Sequence, residues 1–178
     1  MRRTPHGPRN VRVVVLRHGP AEVRDPARWP EDDRRPLTDK GVLQTRRAVR
    51  GVARLASPIG RIVTSPADRA LATAELLREV LDTDAAPEPW DELGSGRLAA
   101  PIFERLRATT ESGQTVVLVG HDPTLVEFVG LALAGEGIAL LRLGKSGAAL
   151  VEFPASLGPG AGRLLWLLTR QQLSDVRG

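Results

Sequence analysis

The alternation of apolar and polar positions along the chain predicts buried strands separated by amphipathic helices. Residues 11–16 and 115–119 are short, apolar and rich in β-branched side chains, which is typical of strands buried on both faces. Residues 61–64 predict a third, shorter strand. Residues 147–153 and 163–169 predict two late strands joined as a hairpin-like pair.

Helices are predicted between these strands. One begins near Thr38, whose hydroxyl suits an N-cap, and ends before Pro58. A second follows Ser65, which is expected to cap it, and runs to about Leu81. The remaining predicted helices are residues 98–111 and 123–134.

The rest of the chain is predicted as loops and tails. Residues 20–36 contain four prolines and are expected to form a lid or a substrate-binding rim. Residues 1–10 are predicted as a flexible tail, residues 11–170 as a single domain and residues 171–178 as a C-terminal tail. Alternating helices and buried strands predict an α/β fold, a three-layer α/β/α sandwich around a mostly parallel sheet.

Composition narrows the possible functions. The absence of cysteine excludes disulfides and thiolate metal sites. The net charge of +4 is carried by scattered basic residues with few aromatic side chains among them, which argues against a nucleic-acid partner. No apolar run is long enough to span a bilayer, and no secretory signal is recognisable, so no membrane association and a cytoplasmic location are expected.

Charged side chains follow three of the predicted strands. Arg17 and His18 come directly after strand 11–16, Ser65 and Arg69 follow strand 61–64, and His121 follows strand 115–119. Because the carboxyl ends of neighbouring parallel strands meet at one sheet edge, these residues are expected to share a crevice. Guanidinium groups and helix N-termini both bind phosphate oxygens, so phosphate is the expected ligand.

Two histidines in one anion pocket indicate chemistry as well as binding. Histidine forms covalent intermediates when it is neutral, and neighbouring arginines lower its pKa and keep it so. Phosphoryl transfer requires mainly in-line positioning and charge stabilisation, which this set of residues supplies. A proton donor for the leaving group is sought in the loop after the second helix, where Glu92 is preferred to Asp91.

The chain resembles the histidine phosphatase superfamily, which has the phosphoglycerate mutase-like fold, and within it the small SixA-like branch. Four segments in order carry the resemblance: 16–21 (LRHGPA), 35–41 (RPLTDKG), 64–74 (TSPADRALATA) and 119–123 (VGHDP). The resemblance implies that His18 becomes phosphorylated, that Arg17, Arg69 and His121 complete the phosphate pocket, and that no metal or other cofactor takes part. The amide groups near Ser65 are expected to contribute to phosphate binding.

The resemblance also has departures. Pro20 and Ala21 follow the Arg-His-Gly motif where mutase-like relatives have Glu-Thr, and the longer insertions that enclose sugar phosphates are missing. An open site is therefore expected, which a phosphorylated protein or a range of small phosphate compounds could reach. The SixA-like branch points to protein phosphohistidine as the substrate.

Several functions remain open at this point. The preferred one is a metal-independent phosphatase with a phosphohistidine intermediate. The alternatives are a phosphoglycerate mutase-like phosphotransferase, a non-catalytic phospho-ligand binding module and a metallohydrolase, although no metal-binding histidine spacing supports the last. Among nearby residues, Asp122 is expected to cap a helix, while Arg34 and Arg35 either rim the pocket or face water.

Overall fold

The computed structural model describes residues 10–177. The predicted N-terminal tail therefore lies, except for Asn10, outside the described residues, as does Gly178. Within the described part of the chain, none of the helices combines the length and the apolar character needed to cross a membrane.

Six strands of the described chain, numbered β1 to β6 in chain order, form one sheet in the spatial order β3-β2-β4-β1-β5-β6. The first four in this order pair in parallel, and β5 and β6 are antiparallel additions next to β1. The predicted mostly parallel sheet and the late hairpin-like pair are thus confirmed. The strands are β1 (Val11–Arg17), β2 (Arg61–Thr64), β3 (Glu88–Pro89), β4 (Thr115–Gly120), β5 (Ala148–Phe153) and β6 (Arg163–Leu168).

Helices cover both faces of the sheet, as the three-layer prediction requires. They are α1 (Asp39–Ala56), α2 (Asp68–Leu81), α3 (Ala100–Thr109), α4 (Thr124–Ala134) and α5 (Arg170–Asp175). Buried side chains of α1, α2 and α5 pack on one face of the sheet, and those of α3 and α4 pack on the other. Neighbouring residues of β1 alternate between these two cores, with Val13 in one and Val14 in the other. The strand reads as continuously apolar because both of its faces are buried.

The N-cap predicted for α1 is confirmed, and the N-cap predicted for α2 is not. Thr38 caps α1 and accepts a 2.9 Å hydrogen bond from the Gly41 amide. The expected cap at Ser65 is wrong, because α2 begins only at Asp68 with Ala67 as its N-cap residue. The Ser65 hydroxyl is consequently available for another partner.

The segment 171–178, predicted as a tail, instead contributes a helix to the domain. Thr169 and Gln172 form a reciprocal capping box at the start of α5. Leu173 is fully buried, and its carbonyl lies where a side chain on Gly51 of α1 would have to go. A six-residue helix is too short to give a clear periodic signal, which is why the pattern does not reveal it. The two-residue strand β3, in the predicted loop after the second helix, escapes detection for the same reason.

Candidate active site

The sheet register brings the three predicted strand ends together. Arg17 of β1 pairs with Gly120 of β4, so the residues that follow them, His18 and His121, lie next to each other. The His18 amide donates to the Gly120 carbonyl at 3.0 Å, and the Ser65 amide donates to the Val119 carbonyl at 2.8 Å. The residues that follow these strands therefore lie together at the carboxyl edge of the sheet, in the region of the predicted crevice.

His18 is buried with one ring nitrogen engaged. Its side chain is bonded through Nδ1 to the Gly19 carbonyl oxygen at 2.7 Å, and only 6% of the residue is exposed. A carbonyl oxygen accepts hydrogen bonds and cannot donate them, so Nδ1 carries the proton and Nε2 keeps its lone pair. Burial lowers the pKa of His18 to about 3, and the charges of Arg69 and Arg17 act in the same direction. The ring is thus neutral at physiological pH.

His121 is the second buried imidazole. Its ring centroid lies 4.9 Å from that of His18, and its Nε2 is 2.8 Å from the Ser65 hydroxyl. Burial lowers the pKa of His121 to about 4, helped by the positive charges of Arg69 and Arg17. Ser65, displaced from the expected cap position, thus contacts this ring, and its Oγ also accepts a 3.3 Å hydrogen bond from the Ala67 amide.

Arg17 is the last residue of β1 and directly precedes His18. Its Nη1 donates to the Leu143 carbonyl at 2.8 Å and to the Asp122 carboxylate at 3.3 Å. Its Nε is buried and has no acceptor among the described residues. Asp122, which was expected to cap α4, instead pairs with Arg17, and Pro123 occupies the N-cap position.

Arg69 is almost completely buried, with 2% of its surface exposed. Its Nη1 donates to the Asp32 carbonyl at 2.7 Å, and its Nη2 lies 3.1 Å from the Asp32 carboxylate. Like Arg17, it has a buried Nε without an acceptor in the described chain. Asp32 belongs to a 3₁₀ turn, Asp32–Arg34, in the long loop 20–36. That loop therefore lies at one rim of the crevice, and its role as a lid or as a substrate-binding segment stays a prediction.

Asp32 is not singled out by the sequence, yet it fixes Arg69. Its carboxylate also receives hydrogen bonds from Arg35 at 3.1 and 3.2 Å, and the Arg35 bond, with the charge of Arg69, lowers the pKa of Asp32. Arg35 thus supports the rim, while Arg34 is exposed and lies 3.6 Å from Asp68. A contact across 37 residues between a loop and a helix leaves no local pattern that would reveal it.

A set of buried hydroxyl groups holds the His18 loop in place. The Gly19 amide donates to Thr73 Oγ1 at 3.0 Å, and Thr45 Oγ1 lies 2.9 Å from Ser146 Oγ. A side chain on Gly19 would collide with Thr45 Oγ1, so the close approach requires glycine here. The one available signal in the sequence is a polar Thr45 on the otherwise apolar face of α1.

Glu92 lies apart from these groups. It sits in a second 3₁₀ turn, Asp91–Leu93, and both of its carboxylate oxygens accept hydrogen bonds from Arg105, at 2.8 and 3.2 Å. Arg105 in turn stacks over the buried ring of Trp90, with its guanidinium carbon 4.4 Å from the ring centroid. The structure therefore brings Arg17, His18, Ser65, Arg69 and His121 together, and it does not bring Glu92 into contact with them.

The crevice combines two neutral imidazoles with two guanidinium groups. Each arginine has unsatisfied buried nitrogen, and buried donors of this kind are costly unless a ligand accepts from them. An anion with several oxygens, held beside a nucleophilic ring nitrogen, fits this arrangement. Across residues 10–177, no group of three or more His, Asp or Glu side chains is arranged to hold a metal ion.

Comparisons with known sequences and structures identify proteins that are similar to this chain. The sequence model of the histidine phosphatase superfamily (branch 1) matches residues 13–108. An uncharacterized protein from Picosynechococcus sp. is 35% identical over 140 residues, which cover 77% of this chain and 82% of that protein.

Two solved structures are similar over nearly the whole chain. The protein histidine phosphatase SixA complexed with tungstate matches with a TM-score of 0.78 and 26% identity, covering 91% of this chain and 99% of that one. A protein from Agrobacterium tumefaciens, assigned as a phosphohistidine phosphatase SixA, matches with a TM-score of 0.71 and 25% identity, covering 89% of this chain and 97% of that one. A mycobacterial glucosyl-3-phosphoglycerate phosphatase, 19% identical with a TM-score of 0.64, shares the fold.

Proposed function

This chain belongs to the histidine phosphatase superfamily, and on that basis we propose that it is a metal-independent phosphatase acting through a phosphohistidine formed on His18. One observation carries the proposal. The bond from His18 Nδ1 to the Gly19 carbonyl leaves Nε2 unprotonated in a crevice lined by Arg17 and Arg69. A neutral ring nitrogen beside two guanidinium groups is what attack on a phosphoryl group requires.

In the first step, the Nε2 lone pair of His18 forms a bond to phosphorus as the bond to the leaving group breaks. The imidazole becomes positively charged and keeps its proton on Nδ1. The Gly19 carbonyl oxygen, 2.7 Å away, then stabilises that positive charge. When the leaving group is itself an imidazole already protonated on its other nitrogen, it departs as a neutral ring and needs no added proton.

In the second step, water attacks the phosphorus atom of phosphohistidine. The bond from phosphorus to Nε2 breaks, its electron pair returns to the ring, and inorganic phosphate leaves as H2PO4−, because one proton of the attacking water is transferred to a phosphoryl oxygen. The positive charges of Arg17 and Arg69 stabilise the phosphoryl oxygens in both steps. Their buried Nε atoms are the donors that remain free for this purpose among the described residues.

His121 and Ser65 are proposed to act as one unit in holding the phosphoryl group. The Ser65 Oγ accepts from the Ala67 amide and can donate its own proton to His121 Nε2. That arrangement leaves the proton of a neutral His121 on Nδ1, where it is a donor for a phosphoryl oxygen. Ser65 thus positions a ligand-binding group, and its hydroxyl is not the nucleophile.

We propose protein phosphohistidine, or small phosphate compounds, as the substrate. The similarity to SixA structures supports this choice. Glu92 is proposed as the proton donor for ester leaving groups, because its turn lies beside the end of β4, with the Leu93 carbonyl close to Gly120. A phosphoramidate substrate depends on this donor less, since its nitrogen leaving group accepts a proton more readily.

The test is phosphate release from a phosphohistidine-bearing carrier protein in excess chelator, measured for the wild-type protein and for His18→Ala. Release by the wild type alone supports a metal-independent phosphatase that depends on His18. Retention of label on an added acceptor would indicate a phosphotransferase instead. Tight binding of the phosphorylated carrier with no turnover would indicate a binding module, and loss of activity in chelator would indicate a metal-dependent enzyme.

A further inference from the structure

A groove of about 640 Å³ lies beside the candidate active site, at the ends of β5 and β6. Among residues 10–177, those that line it have cationic or neutral side chains, and none of them is a carboxylate. The residues used below are Pro20, Lys40, Gln44, Gly144, Lys145 and Arg170.

The walls of this basic groove come from α1, from α5 and from loops next to the proposed catalytic residues. Pro20 is two residues after His18 in the chain. Lys145 directly precedes Ser146, whose amide donates to the carbonyls of Arg17 and His18 at 3.1 and 3.2 Å. Arg170 comes two residues after Leu168, which pairs with Ala148 at the same sheet edge as the crevice. A ligand in the groove therefore lies next to a phosphoryl group on His18.

The three cations of the groove are not neutralised within residues 10–177. Lys40 and Lys145 are exposed and form no ion pair with any described residue. The described hydrogen bond of the Arg170 side chain, 2.7 Å long, goes to the neutral Gln44 amide oxygen. These positive charges are therefore available to a negatively charged partner.

The other side of the crevice carries both signs of charge. Two smaller cavities beside the 3₁₀ turn of loop 20–36, of about 390 and 250 Å³, are lined by the carboxylates of Glu31, Asp32, Asp33 and Asp91 and by the guanidinium groups of Arg24 and Arg97. Asp32 pairs with Arg35 and Arg69 there, so these carboxylates have cationic partners, unlike the cations of the basic groove. The charge of the groove attracts and orients a large negatively charged partner much more than it affects a small phosphate ester.

We propose that the basic groove docks an acidic surface of a phosphorylated protein substrate, next to the side chain that carries the phosphoryl group. This inference rests on the proposed function and adds the kind of protein that the site accepts. The groove offers ammonium and guanidinium groups, and none of the described residues that line it is an aromatic side chain on which a nucleic-acid base could stack. An acidic protein surface therefore fits it better than a nucleic acid does.

The test compares charge reversal in the groove with an equal charge reversal elsewhere. The variant K40E/K145E is matched by R47E/R50E, which changes two exposed arginines of α1 outside the groove. A glutamate at position 40 lies in the first turn of α1, where negative charge favours the helix. The substrates are two synthetic peptides with one phosphohistidine each, flanked by three glutamates or by three lysines, and phosphoramidate as a small control.

The wild-type protein is expected to prefer the glutamate-flanked peptide. K40E/K145E should lower kcat/KM for that peptide about tenfold through KM, with a difference that shrinks at high salt, and R47E/R50E should not. Turnover of phosphoramidate should be the same in all three proteins. An unchanged ratio between the two peptides in K40E/K145E would overturn the docking proposal even if both peptides are hydrolysed.

Failure of the proposed function is distinguished by a binding measurement. If neither peptide releases phosphate, fluorescence anisotropy of a dye-labelled, glutamate-flanked peptide without phosphate still tests the groove. Docking is supported if the peptide binds the wild type and R47E/R50E equally well and binds K40E/K145E more weakly. Equal binding to all three proteins contradicts the docking proposal. Competition is a second criterion: if a single-stranded oligonucleotide displaces the labelled peptide at a lower concentration than unlabelled acidic peptide does, the proposal is also contradicted.

Discussion

His18 and His121 lie side by side at the ends of the neighbouring parallel strands β1 and β4, with their ring centroids 4.9 Å apart. Both rings are buried, and two arginines adjoin them. A second positive charge so close to the first would be unfavourable, so burial and repulsion keep both rings neutral. In the proposed mechanism, neutrality allows the His18 ring to attack phosphorus and the His121 ring to donate a hydrogen bond to a phosphoryl oxygen.

The lowered pKa values predict an unusual pH dependence. With the pKa of His18 at about 3 and that of His121 at about 4, both rings stay neutral well below pH 6.5 and gain protons only in acid. After correction for ionisation of the substrate, kcat/KM of the free enzyme should therefore fall only below about pH 4. An acid limb with its midpoint near 6.5, the value of an unperturbed imidazole, would contradict this prediction.

Replacing Arg69 should weaken substrate binding and turnover together. In the proposed mechanism its guanidinium pairs with phosphoryl oxygens in the ground state and in the transition state, so Arg69→Ala should reduce kcat/KM about 100-fold. Arg69→Lys keeps the charge and loses the planar pair of donors, so it should recover only part of the activity. Steady-state kinetics and phosphate inhibition measure both effects, and unchanged kinetics in Arg69→Ala would remove this residue from the pocket.

Ser65→Ala tests whether the serine acts through His121. Without the hydroxyl, His121 Nε2 loses its 2.8 Å partner, and the proton is no longer directed to Nδ1. We expect kcat/KM to fall about tenfold and the histidine ring signals of His121 in NMR spectra to report a change of tautomer. Loss of activity with an unaltered tautomer would indicate that Ser65 supports the fold alone.

Glu92→Gln should separate two classes of substrate. If Glu92 donates a proton to the leaving group, the substitution slows hydrolysis of alkyl phosphate esters more than that of phosphoramidate. Arg105→Gln is the matched control, because it breaks the same ion pair and leaves the carboxyl group in place. Glu92→Gln could instead slow both reactions equally, and Arg105→Gln could have the same effect. That result would assign Glu92 a structural role beside Trp90.

The sequence reveals those parts of the molecule that local patterns encode. Strands β1 and β4 are continuous apolar runs, and the polar residues at their ends predict that His18 and His121 share one edge of the sheet. The motifs also indicate the family and the fold, and both are confirmed. Parallel pairing of neighbouring strands brings these two distant sequence positions together in one site.

What the sequence does not reveal depends on contacts between distant segments. Asp32 reaches Arg69 across 37 residues, and Ser146 reaches Thr45 across 101. Neither contact has a spacing that any periodic pattern records. The motif around Ser65 is typical of a helix cap, and only the later start of α2 shows that its hydroxyl contacts His121 instead.

The most direct test of the account is to trap the covalent intermediate. The protein is mixed with radiolabelled phosphoramidate, quenched in alkali, in which phosphohistidine is stable, and digested for mass spectrometry. We predict a phosphoryl group on His18 in the wild-type protein, none in His18→Ala, and accumulation of the labelled protein in Arg69→Lys if hydrolysis is slowed. Label on His121, or full turnover by His18→Ala, would contradict the assignment of His18 as the nucleophile.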